Sequence, residues 1–322
     1  MKHLLWLAML LVYGWAAPGG AEDRFPSRPI KIIVPTAAGG VTDVQVRRLS
    51  PRLARVLGQP VVIDNRPGAS GLLGLNLGLS AAPDGYTLVV GSTSTLAVSP
   101  ALGVQGRFDP RKDFEPVFPY LVTPMLLVSH PSLQVSTLND LVGLARAKPG
   151  QLFYGSAGPT TTPHAAGEIL KQVTGIALTH VPYKGTAPAM LAVMANEVQL
   201  AFDFPASAVP QVKAGKLKAL MVGGSKRIPL LPDVPTARES GYPDLDFSAW
   251  GGILAPAGTP QAFVQRLNAA LAEAVGPELK AQLAQEGTEP LLGSPQEFRQ
   301  LILSEQARWA RLIKAAGIKA EQ

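Results

Sequence analysis

The chain has 322 residues, a formal charge of +6 and no cysteine. Without thiols it cannot form disulfides, a thiolate metal site or a cysteine nucleophile. Its basic residues are scattered and carry no interleaved aromatic residues, which disfavours nucleic acid as a partner. A chain of this length can build two units, each with its own core.

The N-terminus has the pattern of a secretory signal peptide. Lys2 and His3 precede an apolar run from Leu4 to Val12, and Gly19-Gly20-Ala21 supplies the small residues that a signal peptidase needs. The run is too short to cross a bilayer, and no second apolar stretch follows it. We therefore predict a signal peptide over residues 1–21 and a periplasmic product. The alternative is a retained membrane anchor.

The first structural unit follows the predicted signal. Ile30 to Val34 is an apolar, β-branched run, which is typical of a buried strand. The turn Thr36-Ala37-Ala38-Gly39-Gly40 is made of small residues, and Thr42 or Asp43 is in position to cap the next helix. Such a turn gathers backbone N–H groups at a helix N-terminus, where the helix dipole favours an anion. An ordinary strand–helix turn has the same pattern.

Two more strands are predicted at Val61–Ile63 and Tyr86–Val90, and the second ends in the hydroxyl-rich loop Gly91-Ser92-Thr93-Ser94. A glycine-containing helical stretch between these strands lacks the dinucleotide-binding fingerprint. Strands that alternate with helices favour a parallel sheet with a ligand crevice at the strand C-termini. The prolines from 116 to 119 interrupt this pattern, and Met125–Val128 opens a second series of units.

The second series repeats the opening motif. A capping box at Thr137 and Asp140 predicts a helix, and strand Leu152–Tyr154 then runs into a small, hydroxyl-rich turn over residues 155–164. A helix follows to about Thr174. We expect the two loops, one in each lobe, to converge on a shared cleft.

The C-terminal part predicts one strand, Phe247–Leu254, and then three helices. The last helix opens with the capping box Ser294-Pro295-Gln296-Glu297. Helices without strands must pack on a sheet that is already built, most simply that of the first lobe. The predicted lobes are therefore residues 22–123 plus 248–322, and residues 124–247.

Six segments resemble the Bug family, the receptors of tripartite tricarboxylate transporters, and they cover the predicted mature chain in order. The segments are VPxxAGGxxD at Val34–Asp43, LGQPVVIDNRPGASG at Leu57–Gly71, APDGYTL at Ala82–Leu88, HVPYKGTAPA at His180–Ala189, LLPDVPT at Leu230–Thr236 and LAPAGTP at Leu254–Pro260.

The resemblance implies a two-lobe α/β periplasmic binding protein of type II, with mainly parallel sheets flanked by helices. It implies a solute-binding protein, not an enzyme, that takes a small carboxylate (a di- or tricarboxylate, an amino acid or an aromatic acid) and serves transporter membrane subunits or a sensor protein. We expect a monomer without cofactor or metal. The implied ligand contacts are Thr36, Ala37, Ala38, Gly39, Gly40, Asp43, Thr93, Ser156, Ala157, Gly158, Thr160, Thr161, Thr162, His164 and Asp203.

Two positions depart from the family pattern. Thr36 stands where the family usually has an aromatic residue, and Phe204 follows Asp203 where an asparagine is common. Both departures concern the outer part of the ligand, so the resemblance implies the carboxylate anchor more strongly than the rest of the solute.

A secreted enzyme that acts on a small carboxylic acid is the alternative function. The chain has no G-x-S-x-G elbow, H-E-x-x-H motif or phosphate loop. His164 at a helix start has three open roles: the base of a nucleophile, a ligand contact, or a structural cap. Asp43 has two, because it can fix the glycine turn or meet the ligand.

Overall fold

The computed structural model describes residues 25–104 and 108–318, so the predicted signal peptide lies outside the described residues. The strands are β1 (Ile30–Val34), β2 (Val61–Asn65), β3 (Thr87–Ser92), β4 (Phe114–Ser129), β5 (Leu152–Ser156), β6 (Leu178–Pro182), β7 (Leu200–Asp203), β8 (Lys218–Gly223), β9 (Ser248–Pro256) and β10 (Glu289–Pro290). The α-helices are α1 (Val41–Leu57), α2 (Leu72–Leu79), α3 (Ser99–Ala101), α4 (Leu138–Ala147), α5 (Thr162–Thr174), α6 (Thr186–Met194), α7 (Pro205–Lys213), α8 (Gln261–Ala274), α9 (Pro277–Gln285) and α10 (Pro295–Ala315). Within the described ranges, no helix combines the length and the apolar character needed to cross a bilayer.

Two sheets share the long strand β4. The first has the order β2-β1-β3-β9-β4, with β10 on the far side of β4, and the second contains β6, β5, β7, β4 and β8. Strands β1, β2 and β3 are mutually parallel, as are β5, β6 and β7, whereas β4 pairs antiparallel with its neighbours. The loops that follow the parallel strands of each sheet therefore lie at one edge, as expected for a ligand-binding α/β fold.

Strand β4 continues through the prolines that were expected to interrupt it. The pairing with β9 shifts register between Pro116 and Phe118, and again between Pro119 and Leu121. Proline has no N–H to give to the ladder, and such irregularities let a strand continue past it. The predicted interruption was therefore wrong, and Met125–Val128 is the C-terminal part of one long strand.

The same strand carries the chain from one sheet to the other. Residues 114–124 of β4 pair with β9, and residues 125–129 pair with β8. The return path runs beside it, because the backbone N–H of Met125 donates to the carbonyl oxygen of Phe247 at 2.9 Å. Two neighbouring backbone segments thus connect the two halves of the molecule.

Three apolar clusters form the core. Helices α1, α8 and α9 cover one face of the first sheet, and α6 and α7 pack on the second sheet. The third cluster is continuous across both halves, from α2 and α10 to α4 and α5. Helix α10 contributes Phe298, Ile302, Trp309 and Ile313 to this third cluster, and all four are buried.

Candidate ligand-binding site

The turn after β1 is held by hydrogen bonds of its own. Gly39 has a φ of +79°, a left-handed conformation that glycine adopts without strain. Its N–H donates to Asp43 Oδ2 at 2.8 Å, and the N–H of Gly40 donates to the carbonyl of Ala37 at 3.2 Å. Helix α1 has Gly40 as its N-cap, so the predicted cap at Thr42 or Asp43 was wrong. The side chain of Asp43 reaches back to the turn instead.

Asp43 is buried, and both of its carboxylate oxygens accept hydrogen bonds. Arg47 Nε donates to both carboxylate oxygens at 2.9 Å, and Asn65 Nδ2 donates to Oδ1 at 2.9 Å. Burial by itself raises the pKa of Asp43, but the hydrogen bonds from Arg47, Gly39 and Asn65 bring the pKa below its usual value. Of the two roles left open by the sequence, these contacts support fixing the turn.

Asn65 is a site residue that the sequence reasoning missed. Its Nδ2 also donates to the carbonyl oxygen of Thr36 at 3.1 Å, which ties the end of β2 to the turn after β1. The only available signal was its position at a strand end beside a Pro-Gly turn, and that signal is weak.

The second loop joins β5 to α5 and is braced by its own hydroxyl groups. Ser156 Oγ accepts the N–H of Gly158 at 3.1 Å and lies 2.7 Å from His180 Nε2. Thr161 Oγ1 donates to the Gly158 carbonyl at 2.7 Å. Thr160 has a φ of +64°, and Ala157 at the loop's edge is half-buried. These contacts give the loop a fixed shape.

His164 lies in the first turn of α5 and is buried. Its ring centroid is 4.4 Å from that of His180, which lies 4.9 Å from the ring of Tyr154. The Tyr154 hydroxyl donates to Glu168 at 2.6 Å. Burial raises the pKa of Glu168, but hydrogen bonds from Lys171 and Tyr154 bring it below its usual value. Sequence reasoning gave His180 no role, yet His180 is the histidine that contacts Ser156.

The loop after β3 makes contacts in both halves of the molecule, through two neighbouring hydroxyl groups. Thr93 Oγ1 accepts the backbone N–H of Trp250 at 2.8 Å, so this hydroxyl is paired with β9. Ser94 faces the second loop: its Oγ accepts the N–H of Thr162 at 3.0 Å and lies 2.8 Å from Thr162 Oγ1.

Two further hydroxyls cross between the halves. Ser70 Oγ donates to the carbonyl of Pro159 at 2.9 Å, and Ser99 Oγ donates to that of Thr160 at 3.2 Å. The segment that carries Ser70 packs beside the first turn, since an ideal Cβ at Gly71 would lie 3.4 Å from Pro35 Cβ. The loops after β3 and β5 therefore meet directly, and the turn after β1 is linked to them through residues 68–71.

Asp203 ends β7 and is buried. Its Oδ2 accepts a hydrogen bond from Ser207 Oγ at 2.6 Å, whereas Oδ1 has no hydrogen-bond partner among the described residues. Burial raises the pKa of Asp203 to about 7, although hydrogen bonds from Ser207 and Phe204 oppose the shift. Thr36 Oγ1, in the turn just beyond the end of β1, is likewise buried without a partner in the described part of the chain. Unpaired buried oxygens at strand ends are candidates for contact with a ligand.

The described residues contain no group of three or more histidine, aspartate or glutamate side chains that could hold a metal ion.

Comparison with known proteins agrees with this architecture. Residues 45–318 match the model of the tripartite tricarboxylate transporter family receptor. BugT of Bordetella pertussis is 34% identical over 95% of this chain and 94% of its own length.

Solved structures extend the similarity to the whole fold. An R. palustris protein solved with adipate is 37% identical, with a TM-score of 0.87 over 92% of this chain and 99% of that one. MatC from Rhodopseudomonas palustris, solved with bound malate, is 34% identical, with a TM-score of 0.84 over 90% of this chain and 100% of that one. The matched family model describes receptors. The chain belongs to the Bug family, the receptors of tripartite tricarboxylate transporters.

Proposed function

We propose that this chain is a periplasmic receptor that captures a small carboxylate between two lobes, residues 22–123 plus 248–322 and residues 124–247. The receptor delivers its solute to transporter membrane subunits or to a sensor protein, and it acts as a monomer. The signal peptide proposed for residues 1–21 directs its export.

One observation carries the proposal: small-residue loops end the parallel strands of both sheets, and they face each other. The loops after β3 and β5 are joined by Ser94 and Thr162, and residues 68–71 extend the contact to the first turn. A cleft lined by backbone N–H groups and a helix N-terminus suits an anion without any cationic side chain.

Several donors in these loops are already used inside the protein. Gly39 donates to Asp43, Gly40 to Ala37 and Gly158 to Ser156. The donors that we propose for the ligand carboxylate are therefore the N–H groups of Ala37, Ala38, Thr160 and Thr161. Each charge-assisted hydrogen bond contributes roughly 1.5–3 kcal/mol. Four of them, less the ordering costs, support about micromolar affinity, near 8 kcal/mol.

The relatives solved with adipate and with malate make dicarboxylates the first class of ligand to consider. The unpaired oxygens of Thr36 and Asp203 offer hydrogen bonds to the far end of such a ligand. Of the other contacts implied by the family, Thr93 and His164 shape the loops beside the ligand.

The alternative of a secreted enzyme receives little support from the geometry. Ser156 lies near His180, but its hydroxyl is buried and tied to the Gly158 backbone. A nucleophile needs an oxygen that a substrate can reach.

Calorimetry with adipate, malate and their diamides tests the proposal. We expect at least one of the two acids to bind with about micromolar affinity and its diamide to bind at least tenfold more weakly, because the amide lacks the anion. Gly40→Val should also weaken binding of the acid at least tenfold, since a Cβ at Gly40 would lie 3.2 Å from the Ala37 carbonyl oxygen and distort the turn.

The matched control is Gly143→Val on α4, where an added Cβ meets no atom within 4 Å. This variant should bind like the wild type. Equal affinity for acid and diamide would contradict the carboxylate site.

A further inference from the structure

The N-terminus of α5 is capped by the other lobe. The helix's own N-cap residue, Thr161, makes no side-chain capping hydrogen bond. The N–H of Thr162 donates instead to Ser94 Oγ at 3.0 Å, and the two hydroxyls lie 2.8 Å apart. A serine that accepts an N–H in the first turn does what an N-cap side chain does within one chain segment. Here the cap and the helix come from opposite sides of the cleft.

Two more serines of the first lobe lie beside this contact, and both donate to the same loop of the second lobe. Ser70 donates to the carbonyl of Pro159, and Ser99 donates to that of Thr160. We define the interlobe seam as these three serines together with Pro159, Thr160 and Thr162. All three serines of the seam belong to the first lobe and engage one loop of the second lobe.

The backbone at the seam is unusual. Among the described residues, four non-glycine residues have a positive φ: Ala69, Ser70, Thr160 and Asn196. Three of the four lie in the two loops that meet at the seam. Such conformations are strained and persist where surrounding contacts hold them, most often at functional sites. The seam hydrogen bonds supply contacts of this kind on both sides.

We propose that Ser94 is the closing residue of the receptor, a cap on α5 that forms only when the two lobes meet. The proposal rests on the proposed function, in which the two lobes close on a ligand. In that setting Ser94 determines the lifetime of the closed form. Opening the cleft returns the Thr162 N–H to water, so ligand release includes the loss of the cap. Ser94 acts as a positioning residue through α5 and need not touch the ligand.

The test uses the absence of cysteine from the chain. Spin labels on Ser80→Cys and Lys216→Cys, two exposed positions in the two lobes, report the distance between them. Three versions of the labelled protein are compared: Ser94→Ala, Ser94→Thr, which keeps the hydroxyl, and Ser92→Ala. Ser92 is the matched control because its hydroxyl contacts Thr95 within its own loop.

Without ligand the receptor exchanges between open and closed forms, and we expect Ser94→Ala to lower the fraction of molecules that show the short, closed-form label distance, which lengthens the mean distance. It should also speed dissociation of malate or adipate by about two- to tenfold, the effect of one capping hydrogen bond. Ser94→Thr and Ser92→Ala should both resemble the wild type.

Unchanged distances in Ser94→Ala would overturn the proposal, even if binding were lost, because Ser94 would then act on the ligand directly. If the distances lengthen as expected but no carboxylate binds the wild type, the cap stands and the carboxylate function fails.

Discussion

Asp203 illustrates a residue whose chemistry depends on its burial. The sequence shows an aspartate at the end of an apolar strand, and the structure buries it beside Ser207 with one carboxyl oxygen unpaired. The water that would stabilise its charge is excluded, so the neutral form is favoured. This makes Asp203 a source of pH-dependent stability.

The sign of this pH dependence follows from the pKa of Asp203 in the folded and unfolded states. Burial raises the pKa of Asp203 from 3.8 in the reference state to about 7 in the folded protein. The unfolded chain therefore ionises first. The contribution of Asp203 to the free energy of unfolding is highest below pH 4, falls as the pH rises to about 7, and stays low above that.

Asp203→Asn should remove this pH-dependent loss of stability, because asparagine does not ionise. As the pH rises from 4 to 8, the free energy of unfolding of the wild type should fall by up to about 4 kcal/mol more than that of the variant. This figure follows from the size of the pKa shift. Urea unfolding of both proteins across this range measures the difference. Asp233→Asn, on an exposed loop, is the control and should follow the wild type. Parallel profiles for Asp203→Asn and the wild type would contradict a neutral buried carboxyl.

At the scale of helices and strands, two local signals were read correctly, whereas the cap predicted at Thr42 or Asp43 was not. The capping boxes at Thr137–Asp140 and Ser294–Glu297 are both formed, because all of their partners lie within four residues. Strand β4 was misread, because proline lacks a donor and the sequence does not show where the partner strand shifts register.

The same limit applies to the site. The sequence indicated that the turn after β1 and the loop after β5 matter, since each combines small residues with a helix start. Asn65 and His180 were missed, and Ser94 was noted only as part of a hydroxyl-rich loop, because their contacts join residues 18 to 68 positions apart in the chain. Only the folded sheet edges bring these side chains together.

A capping box makes a measurable prediction about α10. Ser294 Oγ accepts the N–H of Glu297 at 3.2 Å, and Glu297 accepts the N–H of Ser294 at 2.7 Å. Ser294→Ala leaves the Glu297 N–H without its acceptor, so chemical denaturation should show a loss of about 1 kcal/mol in unfolding free energy.

Ser304→Ala is the matched control for this helix. Ser304 is exposed, and its hydroxyl donates to the Leu301 carbonyl within α10. Its replacement should change the unfolding free energy by less than that of Ser294. Equal losses in the two variants would mean that the cap does not stabilise α10.

At the scale of the whole molecule, two features act together. The connection between the sheets is narrow, with β4 and the return path to β9 side by side. The interlobe seam consists of hydrogen bonds that can break in water, and the third apolar cluster also runs across both halves. A receptor with a narrow connection and a polar seam can open by rotation of its lobes without disturbing either sheet.

Small-angle scattering with and without ligand tests this account most directly. The hydrogen bonds of Ser94, Ser70 and Ser99 across the seam describe a closed form. With saturating malate or adipate, the scattering curve should match the curve calculated from this structure. Without ligand the radius of gyration should be larger, and the diamides should leave it unchanged. A carboxylate that binds without any compaction of the two lobes would contradict the account.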